Sequence, residues 1–282
     1  MPDLWGLATI AAKFALYLGV LTSVGTLLAA LIFRLPVIRG FILGFAALGI
    51  AGTIFGFFLT GAALTGDASG MVDSDILGLI WTTPVGTAAS LRVAGLSLLI
   101  AGLFAGRYGL FLSLMGCALA LWSFAHIGHI PDKSSPTLNI ILLFHLVAIS
   151  MWVGILTPLR ALSLEPGKIA EATALGHRFG KMATVFVPLL ILAGVYMSYA
   201  LVGSFSVLIG SGYGQTLVLK ILFVGALLGL AAANKIRFIP RMSSGDQSAA
   251  LHLAKAISLE WFVIAATFLA TAIITSVLTL PS

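Results

Sequence analysis

Apolar residues run along this chain in blocks as long as a bilayer crossing, and polar residues gather mostly in the short gaps between blocks. A spanning helix needs about 20 mostly apolar residues. Eight stretches qualify, roughly 5–33, 40–64, 86–105, 108–127, 138–159, 182–203, 215–233 and 256–279. The pattern predicts an all-α polytopic membrane protein of eight transmembrane helices. It forms one integral-membrane domain over residues 1–282, with helices 1–4 at about 5–127 and helices 5–8 at about 138–279.

The polar gaps differ sharply in charge from one side to the other. One side holds Arg34, Arg39, Arg107, Arg160, Lys168, Arg178, Lys181, Lys235, Arg237, Arg241 and Lys255. The other holds Lys133 alone among the cations, beside Asp3, Asp67, Asp73, Asp75 and Asp132. Basic loops stay cytoplasmic. The split therefore places both termini outside, periplasmic in a bacterial inner membrane. The start, MPDLWGLATI, lacks the basic region of a cleavable signal, so the first helix is expected to be retained.

Composition agrees with this picture: 60% of residues are hydrophobic, 9% are charged and the mean hydropathy is +1.14. Soluble chains carry about 25% charged residues. The net charge of +6 comes from the basic cytoplasmic loops and gives no reason to expect nucleic acid. The single cysteine, Cys117, lies mid-helix, which excludes a disulfide framework and a CxxC metal site. Walker, Rossmann and HExxH signatures are absent, and no nucleophile–base pair is visible, so the chain is not expected to be an enzyme.

A short repeat links the halves. Gly86-Thr-Ala-Ala-Ser-Leu-Arg92 enters the third helix and Gly214-Gln-Thr-Leu-Val-Leu-Lys220 enters the seventh. In both, a cation lies about 9 Å deeper than the glycine, at 1.5 Å per residue. An even number of helices per half makes such repeats parallel, here two four-helix units.

Lys13, Arg92 and Lys220 stand inside apolar helices, all in the outer third of the bilayer. An intramembrane cation costs several kcal/mol unless it faces a cavity, a partner or the interface. Such residues either snorkel to the outer surface or line a polar cavity that takes carboxylates or an anionic ligand. Three histidines lie on the same side. His126 and His129 end the fourth helix, and share a face if it persists through Gly128. His145 lies about 10 Å inside the fifth. Imidazole suits copper, zinc and haem iron alike, and a thioether favours Cu(I). Met197 is nearly level with His145, though methionine in a helix is commonly plain packing. Met71, among Asp67, Asp73 and Asp75, belongs to a loop that either attracts cations or is simply solvated. Glu260, in the inner third of the last helix, is expected to pair with a cytoplasmic-side Lys or Arg or to stand on a cation exit route. Gly52/Gly56 and Gly225/Gly229 form GxxxG sets that close helix packing explains.

Several of these residues together resemble the CopD family of copper-resistance membrane proteins. YGQTLVLKILFVGALLGLAAANKIRFIP resembles its signature through Tyr213, Gly214, Lys220, Asn234, Lys235 and Pro240. FHLVAISMWVGIL resembles its His-x6-Trp-x-Gly helix through His145, Trp152 and Gly154. GHRFGKMATVFVPLLILAGVYMSY is similar through Arg178, Phe179 and Gly194. Gly128-His129, Glu260, and Arg92 after Thr-Pro-x-Gly are further points of likeness. The resemblance covers nearly the whole chain. It implies an inner-membrane protein that handles copper, with a separate periplasmic copper-binding protein of the CopC type as a possible partner, since none is fused here.

The leading expectation is a transporter or transfer protein that moves copper, as Cu(I), from the periplasm inward. His126, His129 and His145 would form its outer entry site, Met197 would add a soft ligand, and Lys13, Arg92 and Lys220 would organise the surrounding cavity. The rival is a b-type haem protein for electron transfer or metal reduction, with histidines as axial ligands and cations at the propionates.

Overall fold

A computed structural model describes residues 3–130, 133 and 135–278. Asp132 and the last residue of the predicted eighth span, Thr279, lie outside that range. Eight helices among the described residues are long and apolar enough to cross a membrane. In chain order the helices are α1 (Leu4–Phe33), α2 (Arg39–Thr65), α3 (Ser74–Trp81), α4 (Pro84–Gly102), α5 (Gly109–Trp122) and α6 (Pro136–Leu164). They continue with α7 (Ile169–Val202), α8 (Phe205–Gly210), α9 (Gly212–Ala233), α10 (Ile239–Ser243) and α11 (Gln247–Val277). The multi-pass membrane architecture read from the apolar blocks is present.

Two helices run further than their apolar blocks. The polar segment 160–181 is mostly the first turns of α7, and α11 starts at Gln247, well before the predicted 256. Apolarity marks only what lies in lipid, whereas backbone hydrogen bonding carries a helix into water until a cap ends it. Asp246 is such a cap. Its carboxylate accepts from the Ser248 hydroxyl and from the amides of Ser248 and Ala249, and Arg241 bridges it at 2.7 Å. Those contacts hold the carboxyl at about 2, the Ser248 hydroxyl most of all.

α1 is the central helix, packed against α2, α6 and α11. Glycines allow these approaches. A Cβ on Gly154 would lie 2.0 Å from the Gly25 carbonyl oxygen, and one on Gly25 would lie 1.9 Å from that of Ser150. Gly19 meets Gly49 of α2 in the same way, with 2.3 Å to its amide nitrogen. Gly52 packs tightly on α1, but nothing lies within 4 Å of a Cβ built on Gly225 or Gly229. Close packing within the chain therefore explains the first GxxxG set and not the second, whose glycines are exposed.

The repeat is visible in backbone geometry. Short helices, α3 and α8, precede α4 and α9. A Cβ on Gly86 would lie 2.1 Å from the Trp81 carbonyl oxygen, and one on Gly214 would lie 2.1 Å from that of Leu208. The same tight corner thus launches the two cation-bearing helices. Beyond that corner the halves differ in their packing. α2 packs directly on α4, while α7 and α9 barely touch and leave a cavity between them.

α9 runs into a π-helical turn, Asn234–Phe238. Pro240 explains it: proline has no N–H for the carbonyl four residues back, and its ring crowds that carbonyl. Widening by one residue relieves both and re-aims Asn234.

Candidate functional site

The three intramembrane cations do not share one cavity. Arg92, only 8% exposed, donates from Nε to the Ser123 hydroxyl at 2.9 Å and stacks its guanidinium 4.8 Å above the Phe124 ring. Tyr17 stacks on the same Phe124 ring at 5.7 Å and bonds the Thr275 hydroxyl at 3.1 Å. Lys13 donates to the Thr275 carbonyl. Thus α1, α4, α11 and the short 3-10 turn after α5 gather Lys13 and Arg92 into one polar knot. Neither forms an ion pair with a described carboxylate. Both are held by neutral acceptors, and Lys13 is tied to α11 rather than extended to the surface.

Lys220 belongs to a different site. It lines a cavity of about 620 Å³ bounded by α6, α7, α9 and α11, with α8 over its outer end. His145 and Met197, on the neighbouring helices α6 and α7, line the same space, as does Trp152. The remaining wall is almost entirely apolar, from residues such as Leu190, Val224 and Phe268. His145 Nδ1 is buried without a hydrogen-bond partner, and the ring bonds the Leu190 backbone. Gly194 lies beside the imidazole, where a Cβ would sit in ordinary contact, 3.4 Å from His145 Cε1. His145 and Met197 thus line one volume.

His126 and His129 do not join them. α5 stops at Trp122, a 3-10 turn covers Ser123–Ala125, and Gly128 adopts φ +118°. That left-handed backbone breaks the helix, so the condition for a shared i, i+3 face fails. His129 turns to the start of α9, its ring 5.4 Å from Tyr213 and its Nε2 3.3 Å from the Ile274 carbonyl. His126 lies against Trp122, with a buried Nε2 that has no partner. No three His, Cys, Asp or Glu side chains converge among the described residues. The three histidines do not gather at one point: His145 lines the cavity, as Met197 does, and His126 and His129 lie apart from it nearer the outer end.

Two family models match the chain: the copper resistance protein D-like N-terminal domain over residues 1–137, and copper resistance protein D over 173–274. The chain belongs to the CopD copper-resistance family. No curated protein and no solved structure matches it.

In this CopD chain the second family segment carries Asn234 and Glu260, and their relation corrects the sequence-based expectation. Glu260 is 2% exposed and pairs with no described Lys or Arg. Its Oε2 accepts from Trp152 Nε1 at 3.1 Å, and its Oε1 accepts from Asn234 Nδ2. Cations of the basic loops find other partners: Arg160 donates to Ser258 at 2.8 Å and Lys235 to Thr184. Trp152 stands seven residues from His145, two turns along one face of α6. It therefore borders the cavity while its indole N–H holds the buried acid. Sequence reasoning names Trp152 and Asn234 only as family positions, and it misses Tyr17, Ser123, Phe124 and Thr275 altogether. The signal for the latter is weak, since hydroxyls and aromatics on helices ordinarily read as packing.

Two carboxylates of the outer loops, Asp67 and Asp73, are caps. Asp67 accepts from the Ser69 amide at 2.7 Å, which holds its carboxyl below the ordinary value, and Asp73 caps α3 through the amides of Asp75 and Ile76. Tyr213 and Gly214 form the tight corner at the start of α9, and Gly154 the crossing of α6 with α1.

Proposed function

We propose that this CopD protein acts in copper resistance as a transport or transfer protein of the bacterial inner membrane, taking copper from the periplasm inward. The observation that carries the reading is the cavity that both His145 and Met197, a borderline and a soft ligand, line. His145 Nδ1, buried without a hydrogen-bond partner, is the nitrogen we assign to the metal. Copper is the cargo and the chain performs no bond chemistry on it. His126 and His129, nearer the outer end, serve as stepping points from the periplasm. A separate CopC-like periplasmic protein is a suitable donor, because the outer loops are short and the carboxylates of Asp67 and Asp73 are occupied as caps. The basic loops support an inner-membrane location with both termini periplasmic.

The test is copper content of the detergent-purified protein together with copper uptake by cells. His145→Ala is expected to lose the bound copper and most uptake, with Met197→Ala a smaller loss. Unchanged copper and uptake in His145→Ala would overturn the site.

One observation favours a second reading. A cavity of about 620 Å³ is large and apolar for a bare ion, and Lys220 at its wall repels one. His145, Met197 and Lys220 fit a haem b, with the wall taking the ring, an imidazole or thioether the iron, and the ammonium a propionate. Bound haem would supply one-electron chemistry. A Soret band with stoichiometric iron in the purified protein would select this reading, and a colourless preparation that holds copper would reject it.

A further inference from the structure

Glu260 is the most fully buried ionisable side chain that the copper reading leaves without a task. Among the described residues, its surroundings contain no countercharge. On its own helix, Lys255 is exposed and His252 stacks on Phe238 of the π-turn. From α6, Arg160 is engaged with Ser258 and His145 lies two turns above Trp152. From α9 and the π-turn, Lys220 lines the cavity, Lys235 bonds Thr184 and Arg237 lies beside the Phe238 ring. From α10, Arg241 bridges Asp246, and from α1, Lys13 and Tyr17 bond Thr275 near the outer end of α11. An ionised carboxylate held by two neutral donors in a bilayer interior costs several kcal/mol.

The partners suit an acid that changes protonation state. Asn234 is amphoteric: its Nδ2 donates to Oε1, while its Oδ1 is buried with no partner. Rotating that amide by half a turn presents Oδ1 to a protonated Oε1–H, so one side chain satisfies both states of the acid. Trp152 Nε1 donates to Oε2 in either state. The π-turn that begins at Asn234 holds the amide toward α11.

The acid also lies directly beneath the cavity. Ile264, one turn above Glu260 on α11, lines that volume, as do Trp152 and Leu227, the latter two turns before Asn234 on α9. A cation entering beside His145 and Met197 approaches a site where this carboxyl is the nearest described source of negative charge.

We propose that Glu260 is a proton-binding site, protonated while the cavity is empty of cation, and that it releases its proton to solvent when a monovalent metal cation binds there. One positive charge enters and one leaves, so the net charge of the membrane interior is unchanged. The inference rests on the copper reading for the identity of the cation, but not for the proton. By linkage, lower pH would weaken cation binding to the same degree that the cation favours proton loss.

The experiment is infrared spectroscopy of the purified full chain at neutral pH, with and without Cu(I), alongside Glu260→Gln and Trp152→Phe. Wild type is expected to show a protonated-carboxyl C=O band that shifts in heavy water and is absent in Glu260→Gln. Cu(I) should abolish the band and release about one proton per copper bound, as linkage requires. Trp152→Phe should retain the band at higher frequency, because it removes a hydrogen bond from the acid; a purely structural role would leave the frequency unmoved. Absence of the band in folded wild type overturns the proton site. A band that persists with copper bound overturns the exchange. Failure of wild type to bind copper removes the copper reading and the exchange with it, while the band alone still decides the proton site.

Discussion

Lys13, Arg92 and Lys220 look alike in the sequence, as single cations in apolar helices, yet their surroundings differ. Arg92 has a hydroxyl acceptor and an aromatic face, and Lys13 a backbone carbonyl. Lys220 has a cavity and no ion-pair partner among the described residues. Its charge therefore bears directly on what the cavity holds. Replacing Lys220 by Leu removes the repulsion of a nearby cation without adding a metal ligand. Lys220→Leu is expected to bind Cu(I) several-fold more tightly than wild type, measured by competition with a Cu(I) chelator. Weaker copper binding in a folded variant would contradict the copper reading, because only an anionic or haem-like occupant gains from the ammonium.

At the scale of elements, glycine decides how helices meet. Gly154 and Gly25 let α6 and α1 cross with backbone against backbone, whereas Gly225 and Gly229 face open space on α9. Gly154→Ala must push the central helices apart and is expected to destabilise the protein by about 1–3 kcal/mol, the usual range for overpacking. Gly225→Ala meets nothing and gains helix propensity, so it should be neutral or stabilising by up to about 1 kcal/mol. Thermal unfolding of the two variants in one detergent checks the contrast; equal losses would refute the crossing. The repeat belongs to this scale too. Gly86 and Gly214 make one and the same corner, and the two cation-bearing helices diverge in role only because α2 closes on α4 while α7 stands away from α9.

For the whole molecule, orientation rests on the distribution of charge, since 11 loop cations lie on one side and Lys133 on the other. An alkaline phosphatase fused after the last residue is expected to be active, and one fused in the segment 160–168 inactive. The reverse result would invert the topology and turn the proposed inward movement around. Eight spans, their charge bias and the glycine–cation repeat are legible in the sequence because they are local properties. Apolar length, loop charge and spacing along one helix do not depend on which helices become neighbours. The shared cavity of His145 and Met197, the separation of His126 and His129 from it, and the Trp152–Glu260–Asn234 group are not local. In a bilayer every span is apolar on most faces, so periodicity does not reveal which side faces protein. Charge pairing is the general remedy for a buried acid, which is why sequence alone assigns Glu260 a cation; here an indole and an amide from two other helices supply the partners instead. Length, charge and spacing determined the architecture, and the motifs shared with the CopD family determined the family. Only packing, through glycine crossings and the π-turn at Asn234, decided which of the polar residues share a site.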